Sequence, residues 1–124
     1  VRWFRRSHPA GAGFEDLAVR RLQALGMTIL ERNSASRLGE IDVVASDPSD
    51  DAIVFVEVKG RRSHDSGFPE EALTPKKRRQ LASLAELWLA RNRISGRTIR
   101  FDVVAVDESE GTTQIRHYRN AFFV

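Results

Sequence analysis

Gly39-Glu40-Ile41-Asp42, followed fifteen positions after Asp42 by Glu57-Val58-Lys59, is the part of the chain from which the fold can be read. The first stretch opens an apolar run that continues through Val43-Val44-Ala45, and the second closes the run Ile53-Val54-Phe55-Val56. Side chains alternate faces along a strand, so Glu57 and Lys59 share one face with Phe55, and Val54, Val56 and Val58 share the other. Between the runs, Asp47-Pro48-Ser49-Asp50-Asp51 is a strong turn signal. It favours antiparallel pairing, which brings Asp42 towards Glu57 and Lys59. Two carboxylates beside a lysine suit a hard divalent cation, Mg2+ or Mn2+, with an amine at hand to manage protons or stabilise charge. Asp42 interrupts an otherwise apolar strand, where a carboxylate is costly unless a metal or an amine partners it. The alternative reading makes Glu57 and Lys59 the exposed face of an edge strand and pairs Asp42 with an arginine.

Outward from this centre, Phe14 to about Leu25 has the period of a helix, with Phe14, Leu17, Ala18, Leu22 and Leu25 on one stripe and Gly26 as its stop. Glu15 and Asp16 fall in its first turn, where the helix dipole favours negative charge. Glu15 also borders the apolar stripe, from which it could reach a metal or its waters. Met27 to Glu31 reads as a short strand and Arg32 to Leu38 as a turn. Glu40 to Ala45 and Ile53 to Lys59 read as the next strands, and Arg61 to Phe68 as a polar loop. A second helix begins at Thr74, a good N-cap, with Pro75 at its first position. Its stripe is Leu81, Leu84, Ala85 and Trp88, and it ends near Asn92. Strands follow over Thr98 to Val106 and Gln114 to Tyr118, and the apolar tail from Asn120 to Val124 is expected to pack. Helix, three strands, helix and two strands predict one α/β domain over residues 1–124, a mixed sheet flanked by helices, with residues 1–12 loosely ordered.

The 124 residues contain no cysteine, which excludes disulfides, zinc-thiolate sites and a cysteine nucleophile, and suits a reducing compartment. No apolar run approaches the ~20 residues needed to span a bilayer, and no secretory signal is legible, so a cytoplasmic protein without a membrane partner is expected. Net charge is +3. The basic residues cluster at Arg2-Arg5-Arg6, Lys59-Arg61-Arg62 and Lys76-Lys77-Arg78-Arg79. A positive rim around an acidic centre suits a polyanion whose phosphate meets a metal, although each cluster is also compatible with a solvated face. Thr74 and Lys77 could bind phosphate at a helix start, or simply cap it. Trp3 and Phe4 among arginines could stack bases or pack onto the body. His8, His64 and His117 form no metal-binding spacing.

Gly11 to Ala18 around Glu15, Arg32-Asn33, Gly39-Glu40-Ile41-Asp42, Val54 to Lys59, Arg61, Gly67, Thr74 with Lys77, Trp88-Leu89 and Phe101-Asp102-Val103-Val104 together resemble the YraN family of small bacterial proteins. That family is similar to PD-(D/E)XK nucleases, most nearly the archaeal-type Holliday-junction resolvases. The resemblance implies a restriction-endonuclease-like fold and a catalytic set of Glu15, Asp42, Glu57 and Lys59. Asp42 and Glu57 would ligate Mg2+ (or Mn2+), and Glu15 would contact it directly or through water. Lys59 would position the attacking water. DNA would be the substrate, with Arg61, Arg62, Thr74, Lys76 and Lys77 along its backbone, and a homodimer is implied as the assembly. A fold-retaining module that binds nucleic acid with little or no turnover is the alternative.

Overall fold

Five strands lie side by side in the order in which the chain makes them. The computed structural model describes residues 13–63 and 73–122. The elements are α1 (Phe14–Ala24), β1 (Thr28–Ser36), β2 (Gly39–Asp47), β3 (Ala52–Arg61), α2 (Pro75–Arg91), β4 (Thr98–Asp107) and β5 (Gln114–Tyr118). β1–β2, β2–β3 and β4–β5 pair antiparallel, and β3–β4 pair in parallel. Neighbouring antiparallel strands need only tight turns, whereas a parallel pair needs a crossover, which α2 supplies.

One helix covers each face. Phe14, Ala18, Val19 and Leu22 of α1 bury against Val43, Ala45, Val54, Val56, Val58, Val104 and Val106. Leu81, Leu84, Ala85 and Trp88 of α2 bury against Ile41, Val44, Ile53, Phe55 and Phe101. The alternation read along residues 54–59 therefore describes the two faces of β3. The result is an α/β fold, a mixed sheet between two helices. β3 is the central strand, so Glu57 and Lys59 are not on an edge.

The first strand is longer than its sequence suggests. Residues Arg32–Ser36 belong to β1, and only Arg37 and Leu38 turn. β1 is an edge strand whose side chains are mostly exposed or half-buried, so no apolar alternation marks it. The ladder to β2 carries it instead, down to the closing pair Ser36↔Gly39. Gly39 has φ 133°, a conformation that L side chains rarely adopt, which explains why glycine opens β2. Leu25, expected on the apolar stripe of α1, is exposed, because the helix ends at Ala24 and the chain turns through Gly26. In the tail, Phe122 is buried and stacks on Phe101 at 4.8 Å between ring centroids. Residues 1–12, with Trp3, Phe4, His8 and the first arginine cluster, and residues 64–72 and 123–124, with His64 and Gly67, lie outside the described residues.

A buried ionic network ties the start of β4 to the β2–β3 turn and to β5. Arg100 forks onto Asp102, with Nε to Oδ1 at 2.9 Å and Nη2 to Oδ2 at 3.1 Å. Its Nη1 reaches Asp47 at 2.9 Å and Asp50 at 2.7 Å. His117 Nε2 lies 2.7 Å from Asp102 Oδ2, and the Asn120 amide donates to Asp102 Oδ1 at 3.2 Å. Burial works to raise the pKa of Asp47, but the hydroxyl and amide of Ser49 and the guanidinium of Arg100 outweigh it and lower the value to about 2. Burial likewise opposes ionisation of Asp102, which His117, Arg100 and the Asn120 amide more than offset, leaving its pKa below the usual value.

Arg100→Met is expected to cost about 3–5 kcal/mol in urea unfolding, because it strands buried carboxylates without their cation. A depressed carboxylate stabilises the fold above its unfolded pKa of ~3.9 and loses that contribution as pH falls through the folded value. Unfolding free energy should therefore show no loss from Asp47 between pH 7 and about 5, and should then fall towards the folded pKa of about 2. Urea titrations at pH 7, 5 and 3 measure this.

Candidate active site

β2 and β3 part company at the residues singled out in the sequence. Their ladder runs from Asp47↔Ala52 to Val43↔Val56 and stops there. Beyond it, Asp42 Oδ2 accepts a hydrogen bond from the Val58 amide at 2.8 Å. Asp42 is fully buried, and it is anchored to the residue between Glu57 and Lys59.

Glu57 is 2% exposed. Its Oε2 takes two amines, Lys59 Nζ at 3.1 Å and Lys77 Nζ at 3.7 Å. Its Oε1 is buried and accepts no hydrogen bond among the described residues. Lys59 arrives by the two-residue period of β3. Lys77 arrives from the first turn of α2, where Thr74 caps the helix by accepting from the Lys77 amide at 3.2 Å.

Glu15 is buried at the start of α1 rather than exposed to serve the dipole alone. Its Oε1 receives Arg32 Nε at 3.3 Å, Arg32 Nη2 at 3.0 Å and Asn33 Nδ2 at 2.9 Å. Its Oε2 is buried without a hydrogen-bond partner among the described residues, as is Asn33 Oδ1. Arg32 also reaches Asp16 at 2.6 Å. Burial lowers the pKa of Arg32, but its bonds to Asp16 and Glu15 outweigh that and raise it overall. Asn33 lies between the ladder pairs Arg32↔Val43 and Ser34↔Ile41, which puts it across from Asp42. Glu15 is thus tied to Arg32 and Asn33 of β1, and Asp42 of β2 is tied to the Glu57–Lys59 segment of β3. Among the described residues, no three acidic or imidazole side chains converge as ligands around one point.

The residues expected on the phosphate rim divide. Arg61 is a correction: it is buried, with Nε and Nη2 on Asp107 Oδ2 at 3.0 and 2.9 Å, so its guanidinium does not face a ligand. Arg61 and Asp107 are partners in the parallel β3–β4 ladder, a relation that the basic run Lys59-Gly60-Arg61-Arg62 conceals. Arg62 is half exposed, paired with Glu108 at 3.1 Å and lying over the Phe14 ring at 5.1 Å. Lys76 and Thr74 are exposed at the start of α2, and Lys77 sits beside Glu57. Sequence reading missed two contacts, Lys77 on Glu57 and Asn33 on Glu15. The only sequence signal for the second is an asparagine, which tolerates left-handed backbone, and its φ here is 55°.

A five-stranded mixed sheet between two helices is an α/β architecture consistent with a restriction-endonuclease-like fold. Residues 14–106 match the model of the uncharacterised protein family UPF0102. A UPF0102 protein of Mycobacterium sp. (strain KMS) is 48% identical over 108 residues, 86% of this chain and 80% of that protein. One from Rhodococcus jostii (strain RHA1) is 48% identical over 116 residues, 90% of this chain and 94% of its own length. One from Pelobacter propionicus is 43% identical over 113 residues, 90% and 81% of the two chains. The chain belongs to UPF0102, the YraN family.

Gly60 separates Lys59 from Arg61, and a Cβ built there would come within clashing distance of Phe14 Cδ2, a contact no real Cβ makes. The missing side chain lets α1 seat its first turn, and with it Glu15, against β3. Gly60→Ala is expected to lower stability by about 1–3 kcal/mol through overpacking, read as a lower urea midpoint.

Proposed function

We propose that this protein is a divalent-metal-dependent endonuclease that hydrolyses phosphodiester bonds in branched or otherwise structured DNA, in recombination or repair, in the cytoplasm. The observation that carries this reading is the state of Glu57. It is buried on the central strand, with amines on one oxygen and, among the described residues, no hydrogen-bond donor on the other. A buried carboxylate oxygen without a donor is costly, and a cation relieves that cost. Glu57, and Asp42 bonded to the neighbouring Val58 amide, would hold Mg2+ or Mn2+, with Glu15 contacting the ion directly or through water. Two protein carboxylates suffice for Mg2+, which keeps several of its waters. The bound cation would polarise the phosphate and lower the pKa of a water.

The protein's own groups supply the rest. Lys59 and Lys77 set two positive charges beside Glu57, where they neutralise charge that grows on a phosphate. Lys76 and Arg62 offer exposed cations to the backbone, which confers affinity without sequence preference. A homodimer would present two such sites to two strands. No helix among the described residues is long and apolar enough to cross a membrane.

One observation favours the second reading, a nucleic-acid-binding module with little turnover. Glu57 already has two ammonium partners, and among the described residues no three carboxylates converge.

Branched, flapped, single-stranded and duplex DNAs, incubated with Mg2+ or Mn2+, test between the two. Cleavage that disappears in Glu57→Ala is expected; cleavage that survives in that variant belongs to a contaminant and defeats the assignment. Lys76→Ala should weaken DNA binding evenly across sequences and reduce the log–log salt slope by about 1, measured by fluorescence anisotropy between 50 and 200 mM salt.

A further inference from the structure

Glu15 and Glu57 share one arrangement. In each, one carboxylate oxygen carries every cationic or amide donor, and the other is buried with none among the described residues. Asn33 Oδ1 is a further buried acceptor without a donor, and its amide is already committed to Glu15. Each such oxygen, left alone, is costly to bury. These are acceptors only, held on α1, β1 and β3, and the acidic groups do not converge as direct ligands on one point. Water molecules bound to a cation are donors, and they extend the reach of the ion by one hydrogen bond. A small, strongly hydrated ion such as Mg2+ gives up its waters reluctantly.

We propose that Asn33 is a positioning residue for a hydrated divalent cation, its Oδ1 acting with Glu15 Oε2 as an acceptor for hydrogens of the ion's own water shell. This rests on the metal-dependent reading above and adds a residue to it. Asn33 suits the task because the backbone there has φ 55°, and because its Nδ2 bond to Glu15 fixes which end of the amide faces away from Glu15. Asn33 falls between the ladder pairs that flank Asp42, and Asp42 accepts from the Val58 amide, which places this shell next to the candidate ligands in the sheet.

The test is Mn2+ binding to the full chain, followed by electron paramagnetic resonance at constant pH and ionic strength. It compares wild type with Asn33→Gly, Asn33→Asp and Asp42→Asn. Glycine keeps the left-handed backbone and removes the amide, and the expected result is roughly a tenfold or greater loss of Mn2+ affinity, as for other residues that act on a metal through its shell. Aspartate keeps an oxygen acceptor, adds negative charge and removes the donor to Glu15. Wild-type or tighter affinity in Asn33→Asp is expected if the oxygen matters. Affinity in Asn33→Asp as low as in Asn33→Gly overturns the proposal, because the residue would then serve only to hold Glu15. Wild-type affinity in both Asn33 variants, with binding lost in Asp42→Asn, overturns this inference and leaves the metal site standing. Absence of Mn2+ binding in wild type removes both. Should Asn33→Gly fail to fold by circular dichroism, the near-isosteric Asn33→Asp still decides, since a tenfold loss there is the contrary result.

Discussion

The hydrogen bond from the Val58 amide to Asp42 is the interaction on which the site depends. Where β2 leaves β3, the central strand would keep a buried amide with no ladder partner, at a cost of about 1–3 kcal/mol. Asp42 closes that gap from the departing strand, and the amide in turn helps to justify a carboxylate that is fully buried. Stability and chemistry therefore meet in one side chain. A variant that removes Asp42 loses a structural acceptor as well as a candidate ligand. The amide variant Asp42→Asn, which keeps an oxygen for Val58, is therefore the more interpretable substitution.

Buried acids elsewhere in the protein show what a purely structural carboxylate looks like here. Asp102 receives both arms of the Arg100 fork, the Asn120 amide and the close approach of His117. Asp107 takes the Arg61 guanidinium on one oxygen and the Ser109 hydroxyl and amide on the other. Its pKa is depressed, first by Arg61 and then by Ser109. Both oxygens are occupied in each case. Glu15 and Glu57 are as buried as these, yet each keeps an oxygen without a donor. The difference is not burial but completeness, and it separates carboxylates that finish the fold from those with capacity left for something else.

Much of this was legible in the chain. The two-residue period over 54–59 gave the faces of β3, the Asp47–Asp51 turn gave antiparallel pairing of β2 and β3, and Thr74-Pro75 marked the start of α2. The extent of β1 was not legible, because an exposed edge strand is held by backbone hydrogen bonds, on which the polar residues 32–36 leave no periodic trace. The roles of Arg61 and Arg100 were not legible either, since their acids lie on other elements. Arg61 meets Asp107 only because β3 and β4 run in parallel register. Arg100 looks like one polar break in an apolar strand until the β2–β3 turn brings Asp47 and Asp50 against it. Local pattern fixes the face on which a charge sits, and long-range pairing decides whether that charge is spent.

Lys77 shows the same principle within the site. Helix α2 has no acidic residue in its first turn and carries Lys76 and Lys77 there, an arrangement that opposes the helix dipole. Thr74 and Pro75 support the helix start locally, and Glu57 provides from the sheet the negative charge that the first turn lacks. The helix and the central strand are thus joined through the candidate active site rather than beside it. Lys59 and Lys77 both use Oε2 of Glu57 and leave Oε1. In the metal-dependent reading, an ion taken up at Oε1 need not displace either amine. Both amines would then remain beside the ion, where the charge of a bound phosphate has to be met.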